Sequence, residues 1–200
     1  MNSDVVVGNV FDKYGTRNPL YRRIVARYFD QVGRLLHGIT PRRLLEVGCG
    51  EGYVVEWLRG RTLVDLPVGL DLSVAMLAQA ESKYPAAGFV CGSAYQLPFP
   101  DRSFDVVICL EVLEHLHRPR EALGEARRVC AGHMLASVPR EPVWRLLNLA
   151  RGAYWRDWGN TPGHLQHWSK NAFLALLEEH WVVQRAATPA PWTVALCRPR

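Results

Sequence analysis

Three groups of residues in this chain have the chemistry for a functional site: carboxylates around a glycine turn, histidines that follow apolar segments, and arginines gathered near the start. The turn is Gly48-Cys49-Gly50-Glu51-Gly52, which interrupts the apolar run LLEV and is flanked by Glu46 and Glu51. A glycine turn that leaves a strand and opens a helix commonly seats a nucleotide phosphate. Here the dinucleotide spacing fails, because Tyr53 stands where a further glycine is required. Two flanking acids also oppose a doubly charged pyrophosphate. A ligand with an adenosine and no phosphate fits better, and positive charge on it is favoured by Glu46. Asp71 ends the next apolar run, 21 residues after Gly50, where a carboxylate can accept bonds from both hydroxyls of a ribose.

The elements that must position these residues follow from patterning. Asn18-Pro19 reads as a cap and first helical position. Leu20, Ile24, Tyr28, Val32 and Leu35 recur at helical spacing, so they are expected to face the body, and Gly38 can end the helix. Short apolar strands then alternate with helices: RRLLEVG, a helix over about 53–59, PVGLDL, a helix over about 74–83, GFVCG, SFDVVICL, a helix opened by Pro119, and HMLASVP. That alternation predicts a parallel sheet covered on both faces. The segment 139–168 breaks the rhythm with VWRLLNLA and the aromatic loop YWRDWGNTPGHLQHW. Its Tyr154, Trp155, Trp158 and Trp168 are expected either to pack the insert on the sheet or to form a lid over an acceptor. Ser169 caps a helix reaching about His180, and WVVQRAA and WTVALCR finish the chain as an antiparallel pair. The whole, residues 1–200, reads as one domain with an N-terminal cap over 1–40 and a lid-like insert over 139–168.

The set LLEVGCGEG, VGLDLS, GSAYQLPFPDRSFDVVICLEVLEHL and ASVP, within residues 44–138, resembles the class I S-adenosylmethionine-dependent methyltransferases. Within that class it is similar to the type 11 branch of the ubiquinone and menaquinone biosynthesis methyltransferases. S-adenosylmethionine meets the charge argument above, since it carries an adenosine, no phosphate, and sulfonium and ammonium groups. The resemblance implies an α/β, Rossmann-like, doubly wound sheet of seven strands, mostly parallel with a reversed last strand. It also implies a cofactor site of Glu46, Gly48, Cys49, Gly50, Asp71, Leu72, Ser93, Ala94 and Leu110. The glycine turn would underlie the methionine portion, Asp71 the ribose, and the 92–94 turn the adenine. Ser93 departs from the family, which usually has aspartate there.

Methyl transfer from a sulfonium needs alignment and water exclusion, and calls for no metal. A hydroxyl acceptor benefits from a base, and histidine has the suitable range. His115, in EVLEHL past the fourth strand, is the first candidate, and His164 and His167 in GHLQHW are the second pair. A spacing of three between those two suggests a metal only weakly without a third ligand. Tyr14 and Arg17 are expected to close the site from the N-terminal side. Residues 1–45 carry eight basic residues against three acids, so the net +5 of the chain lies there. That excess favours an anionic small-molecule acceptor and leaves room for peripheral membrane contact. The expected activity is O-methylation of a hydroxylated metabolite, lipid or glycan precursor. Protein or RNA methylation and a non-catalytic cofactor-binding subunit are the alternatives, but no added RNA-binding module or base-amine motif is visible. Five scattered cysteines without metal spacing, no apolar run of about 18 residues and no signal-like start predict a cytoplasmic protein without a transmembrane segment.

Overall fold

The computed structural model describes residues 18–61 and 67–200. Helix α1 (Pro19–Leu36) opens as the sequence predicts, with the Asn18 side chain accepting from the Leu20 and Tyr21 amides. Tyr28, Phe29, Val32, Leu35 and Leu36 bury its inner face. Leu20 departs from the expected stripe and is exposed among the described residues. Gly38, at φ +84°, ends the helix in the left-handed conformation that glycine adopts readily.

Strand β1 (Leu44–Val47) is buried along its whole length and is an inner strand, third in the order of a seven-stranded sheet. Its neighbours are β2 (Val68–Asp71) and β4 (Phe104–Leu110), both parallel to it. β3 (Gly88–Cys91) extends the sheet beyond β2, and β5 (Cys130–Pro139) extends it beyond β4. β7 (Trp192–Pro199) runs antiparallel between β5 and β6 (Trp181–Ala187). The order 3-2-1-4-5-7-6 reverses direction around β1, so a crevice opens beyond the carboxyl ends of β1 and β4. Helices α2 (Tyr53–Arg59), α3 (Val74–Lys83), α4 (Pro119–Val129) and α6 (Lys170–Glu178) connect the strands, and α5 (Val143–Ala150) lies in the insert after β5. Apolar clusters lie on both faces of the sheet, one around Phe173 and Trp181 and the other around Phe29 and Trp144. Four of the cysteines, Cys49, Cys109, Cys130 and Cys197, are buried as small hydrophobes and Cys91 is exposed.

The loop after β3 is fixed from α4. Arg128 donates to the carbonyls of Leu97 and Phe99 and pairs with Asp101 and Glu125, while Glu125 accepts from the Leu97 amide. Two main-chain carbonyls and two carboxylates thus converge on one planar guanidinium, a geometry that lysine cannot reproduce. Arg128→Ala is expected to lower unfolding stability by about 2 kcal/mol, with Arg128→Lys intermediate. Urea denaturation checks this, and an unchanged midpoint in both variants would remove the role.

Candidate active site

The glycine turn is bound to the end of β2. The amides of Gly48 and Cys49 both donate to the Leu70 carbonyl, and the Gly50 amide donates to Asp71 Oδ2 at 2.8 Å. Asp71 Oδ1 accepts from the Ser73 amide at 2.8 Å. One carboxylate therefore ties the β1 turn to the start of α3. Two glycines are required by geometry. A Cβ at Gly48 would lie 2.4 Å from Val112 Cγ2, whereas a Cβ at Gly50 would meet nothing within 4 Å. Gly50 adopts φ +52°, a conformation that side chains rarely take, and the space beside it is open.

Glu46 lies beneath this turn, 2% exposed. Burial pushes its carboxyl well above the usual carboxylate range; the Val55 amide works against that and the Asp71 charge adds to it. Its Oε2 has no hydrogen-bond partner among the described residues. A buried, unpartnered carboxylate oxygen next to an open turn suits a cationic group and opposes an anionic one. Glu51, expected to repel phosphate from the same place, instead forms an exposed ion pair with Lys83, so the carboxyl groups left next to the turn are Glu46 and Asp71. Leu72 is exposed just after Asp71, and Leu110 is buried at the end of β4. The Ser93 hydroxyl accepts from the Tyr95 amide at 3.2 Å, holding the 92–94 turn, and Ala94 packs partly buried beside it.

The other side of the crevice is built where β4 ends. Glu111 adopts φ +60°, unusual for a residue with a side chain. Trp192 Nε1 donates to its Oε2 at 2.6 Å, and Ser137 Oγ donates to its Oε1 at 3.4 Å. Since the Ser137 hydrogen is directed to the carboxylate, the Tyr28 hydroxyl donates to Ser137 Oγ, 2.7 Å away. Next comes a 3-10 turn, Leu113–His115. His115 Nδ1 is 2.9 Å from the Gly163 carbonyl. A carbonyl can only accept, so Nδ1 carries the hydrogen and Nε2 of the neutral ring holds the lone pair a base needs.

The end of the insert bonds to the turn that follows β4. The amides of Leu165 and Gln166 donate to the Glu114 carbonyl at 2.8 and 3.0 Å. His164 is buried, 5.0 Å from His115 between ring centroids, and stacked on Trp144 at 5.8 Å. Glu114, His115 and His164 each place a ligand atom within 4.8 Å of the other two, a three-donor set that the sequence spacing did not reveal. His167 lies apart from it, exposed, with Nε2 2.7 Å from Asn160 Oδ1. The aromatic expectation needs correction. Trp155 and Trp158 are exposed rather than packed on the sheet or over the crevice, and Trp168 packs against Phe173. Trp144 and Trp192, 5.9 Å apart, form the aromatic wall instead. Tyr14 and Arg17 lie outside the described residues.

Glu111, Glu114, Ser137, Trp144 and Trp192 were missed from sequence. Trp192 had a usable signal: in a strand antiparallel to β5, the first residue returns to the ligand edge, and Trp192 pairs with Pro139.

A family model described as a methyltransferase domain, type 11, matches residues 45–133. A probable S-adenosylmethionine-dependent methyltransferase of Mycolicibacterium smegmatis is 36% identical over 108 residues, covering 53% of this chain and 41% of that protein. The ubiquinone biosynthesis O-methyltransferase of Alkalilimnicola ehrlichii is 29% identical over 192 residues, covering 86% of this chain and 76% of that protein. The chain thus spans well under half of the first relative and about three quarters of the second. A solved protein of Pyrococcus horikoshii has the same fold, with a TM-score of 0.73, 18% identity and coverage of 96% and 97% of the two chains.

The environment of Glu46 makes a directional prediction. Its folded pKa is raised, so stability is full below the ordinary carboxylate range and is lost as pH rises toward the folded value. Glu46→Gln should therefore raise the melting temperature of the ligand-free protein at neutral pH and leave it unchanged near pH 4. Thermal unfolding at the two pH values checks this, and a loss of stability at neutral pH would contradict it.

Proposed function

We propose, from the chain's membership of the class I S-adenosylmethionine-dependent methyltransferases of type 11, that it transfers a methyl group from S-adenosylmethionine to an oxygen of a small hydroxylated metabolite, lipid or glycan precursor. The observation that carries this reading is the open Gly50 turn between two acids, facing the end of β4 where Glu111 and His115 stand. Gly48, Cys49, Gly50 and Glu46 would hold the methionine portion, Asp71 the ribose, and Leu72, Ser93, Ala94 and Leu110 the adenine and its edges. Asp71 spends one lone pair of each oxygen on the Gly50 and Ser73 amides, and its remaining lone pairs can accept from hydroxyls. When bound, S-adenosylmethionine supplies a methyl group already activated by its sulfonium.

The protein's own task is then to orient the acceptor, exclude water and remove a proton. His115 is the base in this reading: its Nδ1 is committed to the Gly163 carbonyl, which directs Nε2 to the acceptor. His164 stands beside it, and the nearby Glu114 carboxylate stabilises the positive charge His115 acquires on taking the proton. Glu111, fixed by Trp192 and Ser137, offers a preorganised acceptor for a second hydroxyl of the substrate. An anionic acceptor would suit the guanidinium chemistry of Arg17. His167 has the lesser role of bonding Asn160 and holding the insert. The thiols are free and four of the five are buried, which supports action in a reducing cytoplasm. Among the described residues no helix is long and apolar enough to cross a membrane.

The test is transfer of a labelled methyl group from S-adenosylmethionine into hydroxylated small molecules of a cell extract. Label recovered in protein or RNA instead would redirect the acceptor assignment. His115→Gln should lower turnover by about 10²-fold, leave cofactor affinity nearly intact, and lose less at high pH. Steady-state kinetics with calorimetry separate these effects, and normal turnover in the variant would remove His115 as the base. Asp71→Ala should weaken cofactor binding by about 10-fold or more in a folded protein. Equal affinity would take Asp71 out of the site.

A further inference from the structure

Helix α5 is inverted relative to the usual logic of a surface helix. At helical spacing, Val143, Leu146, Leu147 and Ala150 share one face, and that face points to solvent, with Leu146 60% and Leu147 43% exposed. The opposite face buries Trp144 and the amide of Asn148, which donates to the Gly159 carbonyl at 2.8 Å. The helix therefore hides its amide residue and displays its leucines. The 3-10 turn that follows, Trp155–Asp157, adds two indoles at 68% and 80% exposure, Trp155 and Trp158. Together with Leu165, these account for five of the eight exposed large hydrophobic residues among those described. The turn is tied to the helix, because a Cβ at Gly159 would lie 2.5 Å from the Arg145 carbonyl oxygen. Helix and indoles therefore form one connected unit.

We propose that this face of the insert docks on an anionic phospholipid bilayer. Charge selects the occupant. The helix carries no acid; Arg145 pairs with Glu141 just before it, which leaves Arg151 and Arg156 against Asp157 alone beside the indoles. Arg151 and Arg156 are exposed beside the indoles, where guanidinium groups meet lipid phosphates while leucine and tryptophan enter the boundary between headgroups and chains. Tryptophan suits that boundary because its ring is apolar and its N–H remains hydrated. A protein partner that covered such a patch would need acids to match the arginines, and a second copy would oppose arginine to arginine.

The position of the patch gives the docking a use. The buried face of α5 carries Trp144, which stacks on His164 next to His115. A bilayer under α5 is thus one helix thickness from the candidate acceptor site, which fits a membrane-resident amphiphile with a hydroxyl headgroup. This use rests on the acceptor reading above; the docking itself does not.

The test uses the full chain and sedimentation with vesicles of phosphatidylcholine alone or with 30% phosphatidylglycerol. The mixed vesicles are expected to bind at least 10-fold more tightly than the neutral ones and to lose most of that advantage in high salt. Leu146→Glu combined with Leu147→Glu should abolish binding. Arg151→Ala with Arg156→Ala should weaken it and remove the preference for the anionic lipid. Nitroxide-labelled lipid should quench tryptophan emission in the parent and much less in Trp155→Phe with Trp158→Phe. All these side chains are exposed and lie outside the proposed cofactor site, so circular dichroism and S-adenosylmethionine affinity should be unchanged, which separates failure here from failure of the methyltransferase reading. No binding to either vesicle, or vesicle binding unaltered by the leucine and tryptophan variants, would overturn the proposal. A concentration-dependent dimer that the leucine variants dissolve, without vesicle binding, would assign the face to a second copy instead.

Discussion

The carboxylate of Asp71 is the joint on which the site depends. By accepting from the Gly50 amide with one oxygen and from the Ser73 amide with the other, it joins the turn after β1 to the start of α3. Charge-assisted bonds of this kind are stronger than neutral ones, and they hold Gly50 in a conformation that leaves the space above it open. Beneath the same turn, Glu46 keeps a carboxylate oxygen without a partner among the described residues. Such a group is costly in a ligand-free protein, and a cation placed beside it would offset that cost.

The second constraint is the direction of β7. Because it runs against its neighbours, its first residue, Trp192, returns to the edge where the parallel strands finish. There its indole fixes Glu111, contacts Tyr28 from α1, and lies against Trp144 from the insert. Three segments far apart in sequence thus meet on one ring. The wall on this side of the crevice is consequently shared by α1, β7 and the insert, while the glycine turn and the residues bonded to it lie within 46–73.

This division explains what was legible in the sequence. The glycine turn, Asp71 and the strand-helix alternation are local signals, and the helix over 53–59 and the helix over 74–83 are found where periodicity put them. The wall around Trp192 depends on contacts across more than a hundred residues, such as Tyr28 with Ser137, and no spacing announces them. The aromatic loop misled for a related reason. Aromatic composition says that a segment will meet something apolar, but not whether that is the protein's own core; Trp155 and Trp158 face outward. Glu51 misled differently, since Lys83 lies 32 residues away and becomes its partner only through the packing of α3.

The central claim is that the turn at Gly48–Gly50, with Glu46 and Asp71, receives an adenosine-bearing cation. Amide chemical-shift mapping tests it most directly, with S-adenosylmethionine and ATP titrated separately into labelled protein. The account predicts that S-adenosylmethionine moves the resonances of Gly48, Gly50, Asp71 and Ser93 at micromolar concentration, and that ATP leaves them in place. Shifts at these residues with ATP instead, or S-adenosylmethionine shifts confined to another surface, would contradict it.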